Sequence, residues 1–83
     1  MPMPSEMFNA CENAETVTPS DTVNLSQPCR KIYVGVGGDI ALVMAGNAAV
    51  VTLVGVVTGT MLEVAAIRVN ATNTDATTMV AFF

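Results

Sequence analysis

Three sets of residues in this chain have types and spacings that could do chemistry. The first is a glycine cluster, Gly35, Gly37 and Gly38, inside "IYVGVGGDIALVMAG" at 32–46. An apolar strand running into close-set glycines is how a phosphate-cradling loop begins. The second is a set of acids, Asp39, Glu63 and Asp75, which could meet around a metal or form a carboxylate pair. The third is the pair of cysteines, Cys11 and Cys29.

Each set falls short of its chemistry. A dinucleotide fingerprint needs G-x-G-x-x-G/A, then a helix, then an acid about twenty positions on. Here the third motif position is Ile40, and "DIALVMAGNAAVV" offers no helix cap and no room for a βαβ unit. The glycines read instead as a hairpin turn: a strand to about Val36, a turn at Gly37–Gly38 and a return strand from Asp39. The three acids sit in or beside turns, where carboxylates are usually just solvated. The chain has no histidine, so the commonest general base and metal ligand is missing. Two cysteines cannot make a zinc site alone. The opening "MPMPSEMFNACENAE" has prolines and acids where a basic region and an apolar stretch of a signal peptide would stand. The thiols therefore read as free and reduced. No enzyme activity, cofactor, metal or small-molecule substrate is expected. The sequons "NLS" (24–26) and "NAT" (70–72) matter only in a eukaryotic secretory path.

The elements that would carry these residues divide by composition. Residues 1–28 hold four prolines and the acids Glu6, Glu12, Glu15 and Asp21. They read as an N-terminal arm, largely extended, with a short helix over Glu6–Glu15 as the alternative. "TPSDT" at 18–22 is a turn. Residues 29–83 read as a compact β domain. Val, Ile, Thr and Tyr dominate it, with Gly or Asn punctuation, and strands are predicted at 29–36, 39–45, 49–57, 60–70 and 77–83, with an edge strand at 22–25. The expected fold is all-β: a small β-sandwich or barrel-like, jelly-roll-like domain of about five to seven short strands. Ile32, Val34 and Val36 share one face against Lys31 and Tyr33; Ile40, Leu42 and Met44 oppose Ala41 and Val43. Over 49–57 both faces are apolar, which predicts cover on both, the second from a neighbouring subunit. Glu63 and Arg68 lie on opposite faces of a regular strand. Either a bulge near Ala65–Ala66 resets the phase, or one charge sits in an interface.

Burial sets the class of function. An 83-residue chain is one domain, and a domain this small buries only about 60% of its unfolded surface. Yet 52% of its residues are hydrophobic and only 12% are charged. The excess has to be covered by copies of itself, a larger assembly or a bilayer. Net charge −4 with only Arg30, Lys31 and Arg68 basic excludes a nucleic-acid surface. The bilayer is the rival reading. Residues 40–62 carry no charge and exceed the about 20 apolar residues a transmembrane helix needs, as in a single-pass phage lysis factor. Against that helix stand Asn47, three threonines, Gly55, Gly59, the richness in Val, and the lack of a flanking basic cluster or Trp.

The pieces "PSDTVNL", "IYVGVGGDIALVMAG", "VTGTMLEVAAIRVNAT" and "TTMVAFF" resemble small virion proteins of tailed bacteriophages and gene transfer agents, the head-spike base and capsid decoration proteins. The resemblance covers about residues 19–83. It implies a compact all-β structural protein on the outer capsid surface, made in the bacterial host cytoplasm. Its partners would be the major capsid protein, copies of itself and a fibre protein. A trimer suits local threefold positions and is favoured; a pentamer suits vertices. The strand after Gly59 is less basic than the family pattern, with Arg68 its only cation. Interfaces favour aromatic, Met and Arg side chains. The candidate capsid or inter-subunit contacts are therefore Met7, Phe8, Arg30, Tyr33, Arg68, Phe82 and Phe83, with one of the last two expected to fill the core instead.

Overall fold

The computed structural model describes residues 11–83. The described residues are all-β, with seven short strands in two antiparallel sheets. In chain order these are β1 (Ala14–Thr16), β2 (Lys31–Val36), β3 (Gly38–Met44), β4 (Val50–Val56), β5 (Met61–Leu62), β6 (Ala66–Asn70) and β7 (Thr77–Phe82). One sheet has the order β1-β7-β2-β5 and the other β4-β3-β6. No helix forms among the described residues, and residues 40–62 run through β3, β4 and β5. The transmembrane-helix alternative is thereby set aside: no helix among the described residues is long and apolar enough to cross a membrane.

The alternation read from the sequence builds the core. Ile32 and Val34 of β2 and Ile40 and Leu42 of β3 are fully buried, and they meet Val69 of β6 and Met79 and Ala81 of β7. Both sheets thus line one hydrophobic cluster, as a sandwich requires. Val36 shares the phase of Ile32 and Val34 but stays exposed, because the chain leaves the sheet just beyond it.

That departure corrects the hairpin. β2 and β3 are consecutive but do not pair; they belong to different sheets. Gly37 and Gly38 form a corner through which the chain crosses from one sheet to the other. A Cβ on Gly37 would overlap the Val56 carbonyl oxygen and lie 2.6 Å from the Thr58 nitrogen. Only glycine lets the backbones come this close, and the Gly37 N–H donates to Thr58 Oγ1 at 2.8 Å.

The segment predicted as one strand over 60–70 is two strands. β5 closes an edge of the first sheet and β6 an edge of the second, so the chain changes sheets again between Leu62 and Ala66. Glu63 lies in this crossing and Arg68 in β6, which accounts for their mismatched phase. A register shift between Val43 and Met44 opposite β6 marks the same place. Within the chain it is the central strand β3 that is covered on both faces: Ala41 and Val43 are buried as well as Ile40 and Leu42.

The polar segment before β2 is tied to both sheets. β1 pairs with β7, Ala14 opposite Phe82 and Thr16 opposite Val80. Val17 enters the core. Residues 22–25, predicted as an edge strand, form no regular strand. Instead the Ser20, Leu25 and Cys29 N–H groups donate to the Val69, Ile67 and Ala66 carbonyls at 2.8–2.9 Å, a broken ladder along β6. Asp21 fastens this segment to the loop after β6, accepting from the Thr72 N–H and Thr72 Oγ1 at 2.9 and 2.7 Å. Those bonds, the backbone N–H first, hold the Asp21 carboxyl below its ordinary 3.8. The tie is therefore present at neutral pH and is lost as pH falls through that lowered value. The Thr72 amide resonance is expected to titrate below pH 3.8, and Asp21→Asn to abolish that titration.

Candidate functional site

Cys11 and Cys29 are both free. Cys29 is buried, its Sγ donates to the Val64 carbonyl at 3.4 Å, and burial pushes its thiol above the usual range. Cys11 is half-buried. A thiol reagent is expected to react readily with Cys11 in the native protein and with Cys29 only in denaturant, as mass mapping would show.

The acids serve the fold. Asp39 Oδ1 accepts from the Gly55 N–H at 2.9 Å, and the Asp39 carbonyl accepts from Asp75 and Ala76. Glu63 faces Lys31 at 3.7 Å across an exposed pair, which contributes little. Among the described residues no group of three or more potential metal ligands comes together.

The expected contact residues are scattered. Tyr33 is exposed on the outer face of the first sheet, directly opposite Met61, itself 45% exposed. Arg30 is exposed, and its N–H donates to the Phe82 carbonyl. Arg68 is half-buried and braced within the chain, its Nε and Nη1 donating to Asn70 Oδ1 and Asn24 Oδ1 at 2.9 and 3.0 Å. Phe82 and Phe83 are half-buried, and Phe83 packs against the core. Met7 and Phe8 lie outside the described residues.

The largest apolar exposure is elsewhere, on β4 and the turn after it. Val50, Val51, Val54 and Val57 are 60%, 40%, 80% and 72% exposed. β4 has β3 on one side and, among the described residues, no strand on the other. Large exposed apolar patches on a protein usually mark interaction sites. The signal was in the sequence, in the two apolar faces of 49–57. Which residues would be bare depended on β4 falling at a sheet edge, which local pattern does not encode.

The described residues thus form a small two-sheet β-sandwich with an uncharged edge strand that no other strand among them pairs on its outer side. No protein-family model and no curated protein matches the sequence. A chain in the solved capsid of a native gene transfer agent (GTA) particle, computed with C5 symmetry, does match: 32% identity, TM-score 0.78, covering 89% of this chain and 84% of that one. The chain belongs to the family of that capsid chain, and is thus a phage- or GTA-type capsid-related protein.

Proposed function

We propose that this protein is a virion structural component on the outer capsid surface, a decoration (cement) or head-spike base protein. It reinforces the shell or anchors a fibre, with the major capsid protein and copies of itself as partners. The observation that carries the reading is the family match over nearly the whole chain. The apolar excess supports it independently: a fold that leaves β4 uncovered gains by burying it in an assembly. Tyr33 with Met61, exposed on the outer face of the first sheet, are further candidate anchors, as are Met7 and Phe8 by residue type alone. No catalytic step is assigned to any residue. Such a protein is made in the bacterial cytoplasm and ends on the particle.

The test is reconstitution. Particles are purified from a producer lacking this gene, mixed with the purified protein and sedimented. Saturable co-sedimentation at a fixed ratio to capsid protein is the expected result. Protein that stays in the supernatant at every ratio contradicts the reading.

A further inference from the structure

The chain has two cysteines, and the fold brings both to one end of β7, the strand that lies between β1 and β2. On the β1 side the Phe83 carbonyl accepts from the Glu12 and Asn13 N–H groups at 3.0 and 3.5 Å, and the Phe83 N–H donates to the Asn13 carbonyl at 2.8 Å. On the β2 side the outermost bond is that of the Arg30 N–H to the Phe82 carbonyl at 2.8 Å. Cys11 and Cys29 therefore each stand one residue beyond the outermost described bond, on the two sides of the same strand end.

That position decides what the pair can do. Beside β7 its two neighbours run about 10 Å apart, and a disulfide needs Cα atoms within about 7 Å of each other. Past the outermost bonds no ladder holds that spacing. There the Cys29 N–H has left the first sheet and donates to the Ala66 carbonyl of β6 at 2.9 Å. Cys29 thus lies inside the sandwich, 1% exposed. Phe83, beside which both cysteines stand, packs against the same core, and Cys11 is half-buried. Burial holds the Cys29 thiol above its usual range, and a negative Cys11 thiolate adds to that rise, so each sulfur lies within reach of the other's charge.

The two thiols differ in access. Cys11 can meet a small reagent, whereas Cys29 meets only what the fold sets beside it. That order suits stepwise oxidation by a small-molecule disulfide such as oxidised glutathione. The Cys11 thiolate attacks one sulfur of the reagent and expels a small thiolate, leaving a mixed disulfide on Cys11. The Cys29 thiolate then attacks the Cys11 sulfur, the mixed bond breaks and the second small thiolate leaves. The protein pair gives up two electrons and two protons, and the reagent takes them up as two thiols.

We infer that Cys11 and Cys29 form an intramolecular disulfide, a bond across the end of β7 that clamps the short edge strand β1 to the core. The bond is absent in the reducing cytoplasm and forms outside it. That timing rests on the proposed virion role; the bond itself does not. It closes residues 11–29 into a ring, and a ring of that size is expected to raise the Tm of so small a domain by roughly 10–20 °C.

The experiment uses the full chain, purified with a reductant, freed of it and incubated with oxidised glutathione in native buffer. Circular dichroism confirms the strand spectrum before and after. The intact mass is expected to fall by two hydrogens, with no glutathione retained. Proteolysis after Glu12 and Glu15 puts the cysteines on different peptides, which are expected to stay joined until a reductant is added. The Tm is expected to rise by the amount given and to return on reduction. A chain that stops at a glutathione adduct on Cys11, links to a second chain through Cys11, closes the bond only in denaturant, or closes it with no change in Tm overturns the inference. Timing is read separately, by acid quenching and alkylation of cells and of released particles. Reduced thiols in cells and the bond in particles are expected. Particles that carry the protein with both thiols reduced overturn the timing. A purified chain that forms the bond but is absent from particles upholds the disulfide and removes the virion role.

Discussion

Gly37→Ala is expected to cost this fold about 3 kcal/mol or more, at or beyond the top of the range for inserting a methyl group into packed structure. The reason is what the new carbon would meet. The Val56 carbonyl, the Thr58 nitrogen and the Val57 carbonyl carbon surround the position, and all are backbone. No side-chain rotamer can relieve the contact, so the end of β4 must move away from the corner. That movement also breaks the bond from the Gly37 N–H to Thr58 Oγ1. In a domain of this size each kcal/mol is worth about 4–8 °C in Tm, so the melting temperature should fall by roughly 12–24 °C. Gly46→Ala is the control, because a Cβ there meets nothing within 4 Å. A Gly37→Ala protein that melts with the control would show that the corner is not as tight as described.

Ile32→Ala is expected to cost about 2–5 kcal/mol, the range for truncating a fully buried aliphatic side chain. Ile32 is 0% exposed and lies opposite both Leu62 of β5 and Ala81 of β7. Small domains hold about 5–15 kcal/mol in total, so the variant should populate unfolded chain at moderate temperature. Val36→Ala, two positions further on the same face but 49% exposed, should stay within about 0.5 kcal/mol of wild type. Chemical denaturation of the pair checks the contrast. Equal midpoints would contradict the core assignment.

The two variants also mark what the sequence can and cannot tell. The period-2 alternation of Ile32 and Val34, and of Ile40 and Leu42, placed four core residues correctly, because it records which face of each strand is buried. The corner at Gly37 was legible only as a break. Whether a glycine break is a hairpin or a sheet crossing depends on the strand that pairs with β2. β2 is flanked by β7, more than 40 residues away in the sequence, and by β5, beyond β4, and no local pattern carries their identity. The split of 60–70 left one trace, the phase conflict between Glu63 and Arg68. β1 left none: three residues paired to the far end of the chain have no period to read. For the candidate surface, the apolar faces of 49–57 announced a strand that needs covering. The position of β4 at an open edge came only with the topology.

The central claim is that this chain works as a part of the capsid exterior. The measurement that tests it most directly is a pair of particle reconstructions by electron cryomicroscopy, one from a wild-type producer and one from a producer lacking this gene. The account predicts difference density on the outer face of the shell, into which the two-sheet fold fits with β4 against protein and not against solvent. Identical maps, or difference density confined to the interior of the particle, would contradict it.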